Sequence, residues 1–140
     1  MIDASGIGVY LKNVLSRLIA TSDWDFVVLG REPVLSKVDW LKNNPRATTV
    51  PMSAPIYSLQ EQLELVKIVP QKASLFWSPH YNMPLLCRAP LLVTIHDVAH
   101  LALPHIFRSI AQRTYAKTML TAVRRRATHI MFDSNFTNDE

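Results

Sequence analysis

The chain has 140 residues, 49% of them hydrophobic and 19% charged, which suffices for one domain with a core and excludes an intrinsically disordered chain. The single cysteine, Cys87, excludes an internal disulfide framework and a zinc module built from several cysteines. The 15 Lys and Arg against 11 Asp and Glu give a formal charge of +4, which suits an anionic partner such as a nucleotide diphosphate, a nucleic acid or an acidic lipid.

Helical and strand-like patterns alternate along the sequence with short connections, which predicts an α/β architecture with a parallel sheet covered on both faces. Ser5, the capping box from Ser58 to Glu61, and Ser134 each have the form of a helix start. In chain order, the periodicity predicts a helix over residues 7–19, a strand over 25–29, one or two helical turns within 34–43, a strand over 48–50, a helix from 59 to before Pro70, strands over 75–78 and 91–95, a helix over 106–127 and a strand over 129–132.

The residues that follow the predicted strands are the informative ones, because parallel sheets bind ligands at the carboxyl ends of their strands. Three such tips carry polar and aromatic groups: residues 78–82, 96–100 and 133–135. We interpret His96 as a ligand contact, since a neutral imidazole can donate to or accept from a sugar hydroxyl or a carbonyl. Residues 77–82 suit recognition of a carbohydrate or a polyprenol head; the alternative is a packed loop with Trp77 in the core.

Two further motifs have competing interpretations. Gly6 and Gly8 stand at a predicted helix N-terminus, where free backbone N–H groups and the helix dipole favour an anion, but an ordinary glycine-containing helix entry fits equally well. His96 and His100 flank Asp97 with the spacing of the HExxH zinc signature. That signature requires a helix, whereas this segment leaves a strand, so we expect no metal site and interpret His100 as a loop residue.

The charge is concentrated in residues 108–126, which contain six Arg or Lys and no acid. Arg124, Arg125 and Arg126 end the predicted helix, where cations complement the helix dipole and face solvent. The alternative is a basic face that touches acidic lipid headgroups. We expect no nucleic-acid partner, because no known binding motif accompanies the basic stretch.

Neither a membrane span nor a leader is apparent in the sequence. No apolar run reaches the roughly 18 residues that a spanning helix needs, and the first five residues lack the pattern of a secretory signal. A cytoplasmic setting is therefore the expectation.

Four segments together resemble the N-terminal half of family 4 glycosyltransferases, which are retaining sugar transferases of the GT-B type. They are residues 3–10 (DASGIGVY), 77–84 (WSPHYNMP), 89–97 (APLLVTIHD) and 127–137 (ATHIMFDSNFT). The resemblance implies the N-terminal half of a GT-B fold, a Rossmann-like, doubly wound parallel sheet. The family's active site lies in the cleft between this domain, which mainly holds the acceptor, and a second domain.

The resemblance implies transfer of a sugar from a nucleotide-sugar to a saccharide or polyprenol-linked acceptor, with retention at the anomeric carbon, in cell-surface polysaccharide synthesis. By this likeness His96 is the catalytic residue and faces the transferred sugar. The implied substrate-binding residues are Gly6, Gly8, His80, Tyr81, Asp97 and Ser134. Many members work at the cytoplasmic membrane surface, so Arg124, Arg125 and Arg126 are expected to contact the inner face of the plasma membrane. We expect no cofactor.

Against the family pattern, only residues 1–2 remain of the first, central strand, and the C-terminal donor-binding domain is absent. We therefore expect residues 1–140 to form a partial acceptor-side domain. It should be inactive alone, because the groups that stabilise the leaving diphosphate belong to the missing domain. Open sheet edges should favour self-association. The alternative function is a non-catalytic membrane-surface or partner-binding module that retains the fold.

Overall fold

The structure, a computed structural model, describes residues 6–96 and 110–134. The proposed cap Ser5, the proposed site residue Asp97, His100 and the segments before Ile110 and after Ser134 lie outside the described residues. The chain divides into two compact units, Met1–Glu64 and Leu65–Glu140.

The first unit is built around a two-stranded parallel sheet. Strand β1 pairs with β2 so that Phe26 faces Ala47 and Gly30 faces Pro51. Helix α1 buries Leu15 and Ile19 from the apolar stripe that the sequence predicts. The elements in chain order are α1 (Gly6–Thr21), β1 (Phe26–Gly30), α2 (Glu32–Leu35), α3 (Asp39–Lys42), β2 (Ala47–Pro51) and the start of α4 (Leu59–Ile68).

Helix α4 begins with the predicted capping box. The hydroxyl oxygen of Ser58 accepts the backbone N–H of Glu61 at 3.1 Å, and the Glu61 carboxylate accepts the backbone N–H of Tyr57 at 2.8 Å. The first contact satisfies an N–H group of the first helical turn, and the second satisfies the N–H group of the residue that precedes the cap. Tyr57 adopts a left-handed φ of 66°. Burial and the nearby Glu61 carboxylate together raise the pKa of the Tyr57 phenol above 10.0.

The second unit carries a three-stranded parallel sheet of order β3-β4-β5. In chain order its elements are the remainder of α4, β3 (Phe76–Ser78), β4 (Leu91–Ile95), α5 (Ile110–Arg126) and β5 (His129–Phe132). The central strand β4 has the most buried side chains, because it is paired on both edges. Helix α5 packs against it, and the resulting cluster contains Met83, Cys87, Leu91, Val93, Ile95, Met119, Leu120 and Val123.

The α/β architecture and the parallel strand pairing are confirmed, but the described strands form two small sheets instead of one. Cys87 is a buried free thiol among apolar neighbours, as its small size and apolar character suggest.

Helical spacing predicts that Leu59, Leu63 and Val66 form the buried face of α4, and this prediction is wrong. Leu59, Leu63 and Val66 are 84%, 58% and 46% exposed, and Leu65 is the buried residue of this helix. The physical reason is that apolar residues occupy two different faces of this short helix, so periodicity alone does not choose between them. Ile110, at the first turn of α5, is likewise exposed rather than packed.

Candidate functional site

The carboxyl ends of β3, β4 and β5 lie at one edge of the second sheet, because all three strands run parallel. The residues at these ends are residues 78–82, which begin with the last residue of β3, His96 after β4, and Asp133 with Ser134 after β5. We call this set the tip rim. Its sequence is polar, whereas the strands that lead into it are apolar, so the change from strand to tip is also a change from core to surface.

His96 is held in place on two sides. Ile95 of β4 faces Phe132 of β5, so the next residues along the two strands are His96 and Asp133. The Nδ1 atom of His96 lies 3.0 Å from the Oδ2 atom of Asp133, and its Nε2 atom lies 3.0 Å from the carbonyl oxygen of Pro79. The imidazole is only 11% exposed, whereas the Asp133 side chain is 40% exposed. We call the contacts of His96 with Asp133 and Pro79 the clamp. It joins a largely buried imidazole ring to a carboxylate that is open to solvent.

The two contacts of His96 define what its ring supplies. A carbonyl oxygen and an ionised carboxylate both accept hydrogen bonds, so each ring nitrogen faces an acceptor. In this arrangement the His96 ring is fixed in position, and both of its nitrogens lie within hydrogen-bond distance of protein oxygens.

The loop after β3 is organised by Ser78. Its side chain is buried, and its Oγ atom donates to the carbonyl oxygen of His80 at 2.7 Å and lies 3.3 Å from that of Asn82. The Nδ1 atom of His80 accepts the backbone N–H of Asn82 at 3.4 Å. The His80 ring stands 4.0 Å from the Tyr81 ring with a tilt of 38°. The loop therefore holds two aromatic rings in tilted contact on a hydrogen-bonded turn, and Tyr81 also packs against the apolar cluster.

Two contacts tie the rim to the core beneath it. The hydroxyl of Tyr115, on α5, donates to the Oδ1 atom of Asn82. The indole Nε1 of Trp77 donates to the Oγ1 atom of Thr94 at 2.9 Å, and Thr94 is 1% exposed. Trp77, which one interpretation of the sequence places in the core, is half-buried and lies outside the apolar cluster of this unit.

The predicted site residues fall into both units. His80, Tyr81, His96 and Ser134 belong to the tip rim. Gly6 and Gly8 lie in the first unit, in the first turn of α1, where Gly6 is exposed and Gly8 buried.

The sequence places Asn82 and Asp133 within the polar tips but not among the predicted site residues, and it does not indicate Tyr115 at all. Asp133 carried a signal, because it follows β5 directly as His96 follows β4. Tyr115 contacts the rim from helix α5, and no pattern in the sequence indicates this contact.

Helix α5 is basic: it carries Arg113, Lys117, Arg124, Arg125 and Arg126 and no acidic residue. An open groove of about 490 Å³ is lined by Thr114, Lys117, Thr118, Thr121, Ala122, Arg125 and Arg126. The hydroxyls of Thr118 and Thr121 donate to carbonyl oxygens of their own helix at 2.8 Å, so the groove's positive potential comes from the Lys and Arg side chains. Arg126 also donates to the carbonyl oxygen of Cys87 at 3.2 Å.

Residues 6–96 and 110–134 contain neither a membrane-spanning helix nor a metal-binding cluster. No helix there combines the length and the apolarity needed to cross a bilayer. No cluster of three or more His, Cys, Asp or Glu there has the spacing to hold a metal ion. Comparisons with protein families, with curated proteins and with solved structures found no match to the chain.

Proposed function

We propose that this chain is the acceptor-side part of a sugar transferase that moves a sugar from a nucleotide-sugar to a saccharide or polyprenol-linked acceptor. The observation that carries the proposal is the clamped His96 at the end of the central strand. Ligands of parallel α/β sheets bind at that end, and His96, His80 and Tyr81 stand there together. The half-buried rings of His80 and Tyr81 would supply an apolar surface for a pyranose ring, and the polar tips would supply hydrogen bonds.

Two finer parts of the proposal rest on the sequence resemblance to retaining family 4 enzymes. One is a Rossmann-like, doubly wound sheet, with which the parallel pairing is compatible. The other is a second domain that binds the donor. In the reaction, the bond between the anomeric carbon and the diphosphate oxygen breaks, and the acceptor oxygen takes its place on the same face. The acceptor proton leaves with the diphosphate. His96 would act by its position at the end of the central strand, since both ring nitrogens lie within hydrogen-bond distance of protein oxygens.

The test is a saccharide titration of the full chain followed by backbone amide NMR. The probes are the methyl glycosides of glucose, mannose, galactose and N-acetylglucosamine, each with and without a nucleotide-sugar. We expect shifts concentrated at residues 78–82, His96 and Ser134, and their loss in His96→Ala. The matched control is His129→Ala, because His129 is an exposed histidine at the opposite end of β5.

Two results would contradict the proposal. One is that none of the four glycosides perturbs the tip rim. The other is that the perturbation survives in His96→Ala but disappears in His129→Ala. Turnover of a nucleotide-sugar by the chain alone would refute the dependence on a second domain.

A second candidate is the non-catalytic alternative, a module that binds an acidic membrane surface, and the groove on α5 favours it. A cationic helix face without acids attracts anionic headgroups, and this attraction weakens with salt. We expect sedimentation with vesicles of phosphatidylglycerol and phosphatidylcholine, and none with phosphatidylcholine alone. Arg124→Ala combined with Arg125→Ala should abolish it. Lys37→Ala combined with Lys42→Ala removes the same charge elsewhere and should not.

A further inference from the structure

Strand β1 has one edge that no strand within the described residues pairs with. The backbone N–H of Phe26 donates to Arg46, and the carbonyl of Gly30 accepts from Met52, so residues 26, 28 and 30 direct their amides toward β2. Peptide groups alternate along a strand, and therefore those of Val27 and Leu29 point to the other edge. The Val27 side chain is 43% exposed.

This edge lacks the devices that usually protect one. Residues 26–30 contain no charge and no proline, whereas edge strands normally carry lysine, proline or a bulge. The outer edge of β2 is different, because β2 is more polar and ends at Pro51. Extended backbone continues past β1 to Arg31, whose φ and ψ are −72° and 137°. No strand within residues 6–96 and 110–134 pairs with the outer edge of the stretch from Asp25 to Arg31.

We propose that β1 pairs antiparallel with β1 of a second copy of this chain, around a two-fold axis at Val28. In that register Val27 of one copy faces Leu29 of the other, and each such pair exchanges two hydrogen bonds. The same register sets Asp25 of one copy opposite Arg31 of the other, at both ends of the contact. Both side chains are exposed and neither forms an ion pair within the described residues. The edge is therefore complementary to itself in charge as well as in hydrogen bonding.

Charge reversal tests this register. The full chain is examined by sedimentation equilibrium from about 10 µM to about 1 mM, a range chosen for a weak contact. We expect dimers in the wild type. Asp25→Arg and Arg31→Asp each place like charges opposite one another and should weaken dimerisation about tenfold. The double variant restores opposite charges and should return the dissociation constant to near the wild-type value.

A second pair of variants tests the hydrogen bonds. Val27→Pro removes a donor that faces the free edge and leaves the bonds to β2 intact, so we expect it to be monomeric. Thr49→Pro makes the corresponding change at the outer edge of β2 and should still dimerise. Circular dichroism checks that each variant is folded.

The proposal is overturned if the wild type is monomeric throughout, if the double charge reversal fails to restore dimers that the single reversals weaken, or if Val27→Pro dimerises as the wild type does. These readings do not depend on saccharide binding, so this inference and the proposed function fail separately.

Discussion

The Nδ1 atom of His96 and the Oδ2 atom of Asp133 are 3.0 Å apart, at the ends of two adjacent parallel strands. This contact follows from strand register: Ile95 faces Phe132, and the chain continues by one residue on each side. The hydrogen bond therefore needs no special loop geometry. It depends only on which residue follows each strand.

Removing the Asp133 carboxylate should destabilise the fold modestly. We expect Asp133→Ala to lower the free energy of unfolding by about 1 kcal/mol, because the bond is charge-assisted but the carboxylate is open to solvent. Urea denaturation measures it. Asp23→Ala is the control: Asp23 pairs with Arg46 at 3.0 Å but is 96% exposed, so no measurable change is expected. If the two substitutions changed the free energy of unfolding equally, the contact between His96 and Asp133 would contribute no more to stability than a surface ion pair.

The strands were predictable because proline or glycine, which change the conformational freedom of the backbone, stands at their ends. Pro90 precedes β4, and Gly30 ends β1. A Cβ atom at Gly30 would lie only 3.2 Å from the side chain of Leu35. The exposed face of α4 was not predictable, since Leu59 and Leu65 both satisfy a helical pattern and only tertiary packing selects Leu65. Likewise, no local pattern indicates that Tyr115 reaches Asn82, because their contact depends on how α5 packs on the sheet.

The buried indole bond beneath the rim should contribute to stability. Trp77→Phe keeps most of the apolar area and removes the donor to Thr94 Oγ1, so we expect a loss of about 1–2 kcal/mol in the free energy of unfolding. Trp24→Phe is the matched control, because Trp24 is 62% exposed. Thermal and urea unfolding followed by circular dichroism measure both. A Trp77→Phe variant as stable as Trp24→Phe would contradict the role of this hydrogen bond.

The raised pKa of Tyr57 predicts a loss of stability in alkali. The folded state binds the phenolic proton more tightly than the unfolded state, whose pKa is close to 10.0. The contribution is therefore complete below pH 10.0 and disappears as the pH rises through the folded-state pKa. Urea unfolding at about pH 9 and about pH 11 measures the difference.

Two variants isolate the Tyr57 phenol. Tyr57→Phe removes the titrating group and should reduce the alkaline loss. Tyr81→Phe removes another phenol and should leave the loss attributable to Tyr57 unchanged. If Tyr57→Phe destabilises in alkali as steeply as the wild type, the loss arises from other groups.

Replacing Gly6 tests whether the fold itself requires a glycine at this position, independently of any role in anion binding. A Cβ atom at Gly6 would meet no atom within 4 Å, and Gly6 is the first residue of α1. We therefore expect Gly6→Ala to stabilise the protein by up to about 1 kcal/mol, since alanine favours helix and restricts the unfolded chain. Gly30→Ala is the contrasting variant, because its Cβ would press on Leu35. Differential scanning calorimetry measures both, and a lower melting temperature for Gly6→Ala than for the wild type would show that Gly6 is needed by the fold itself.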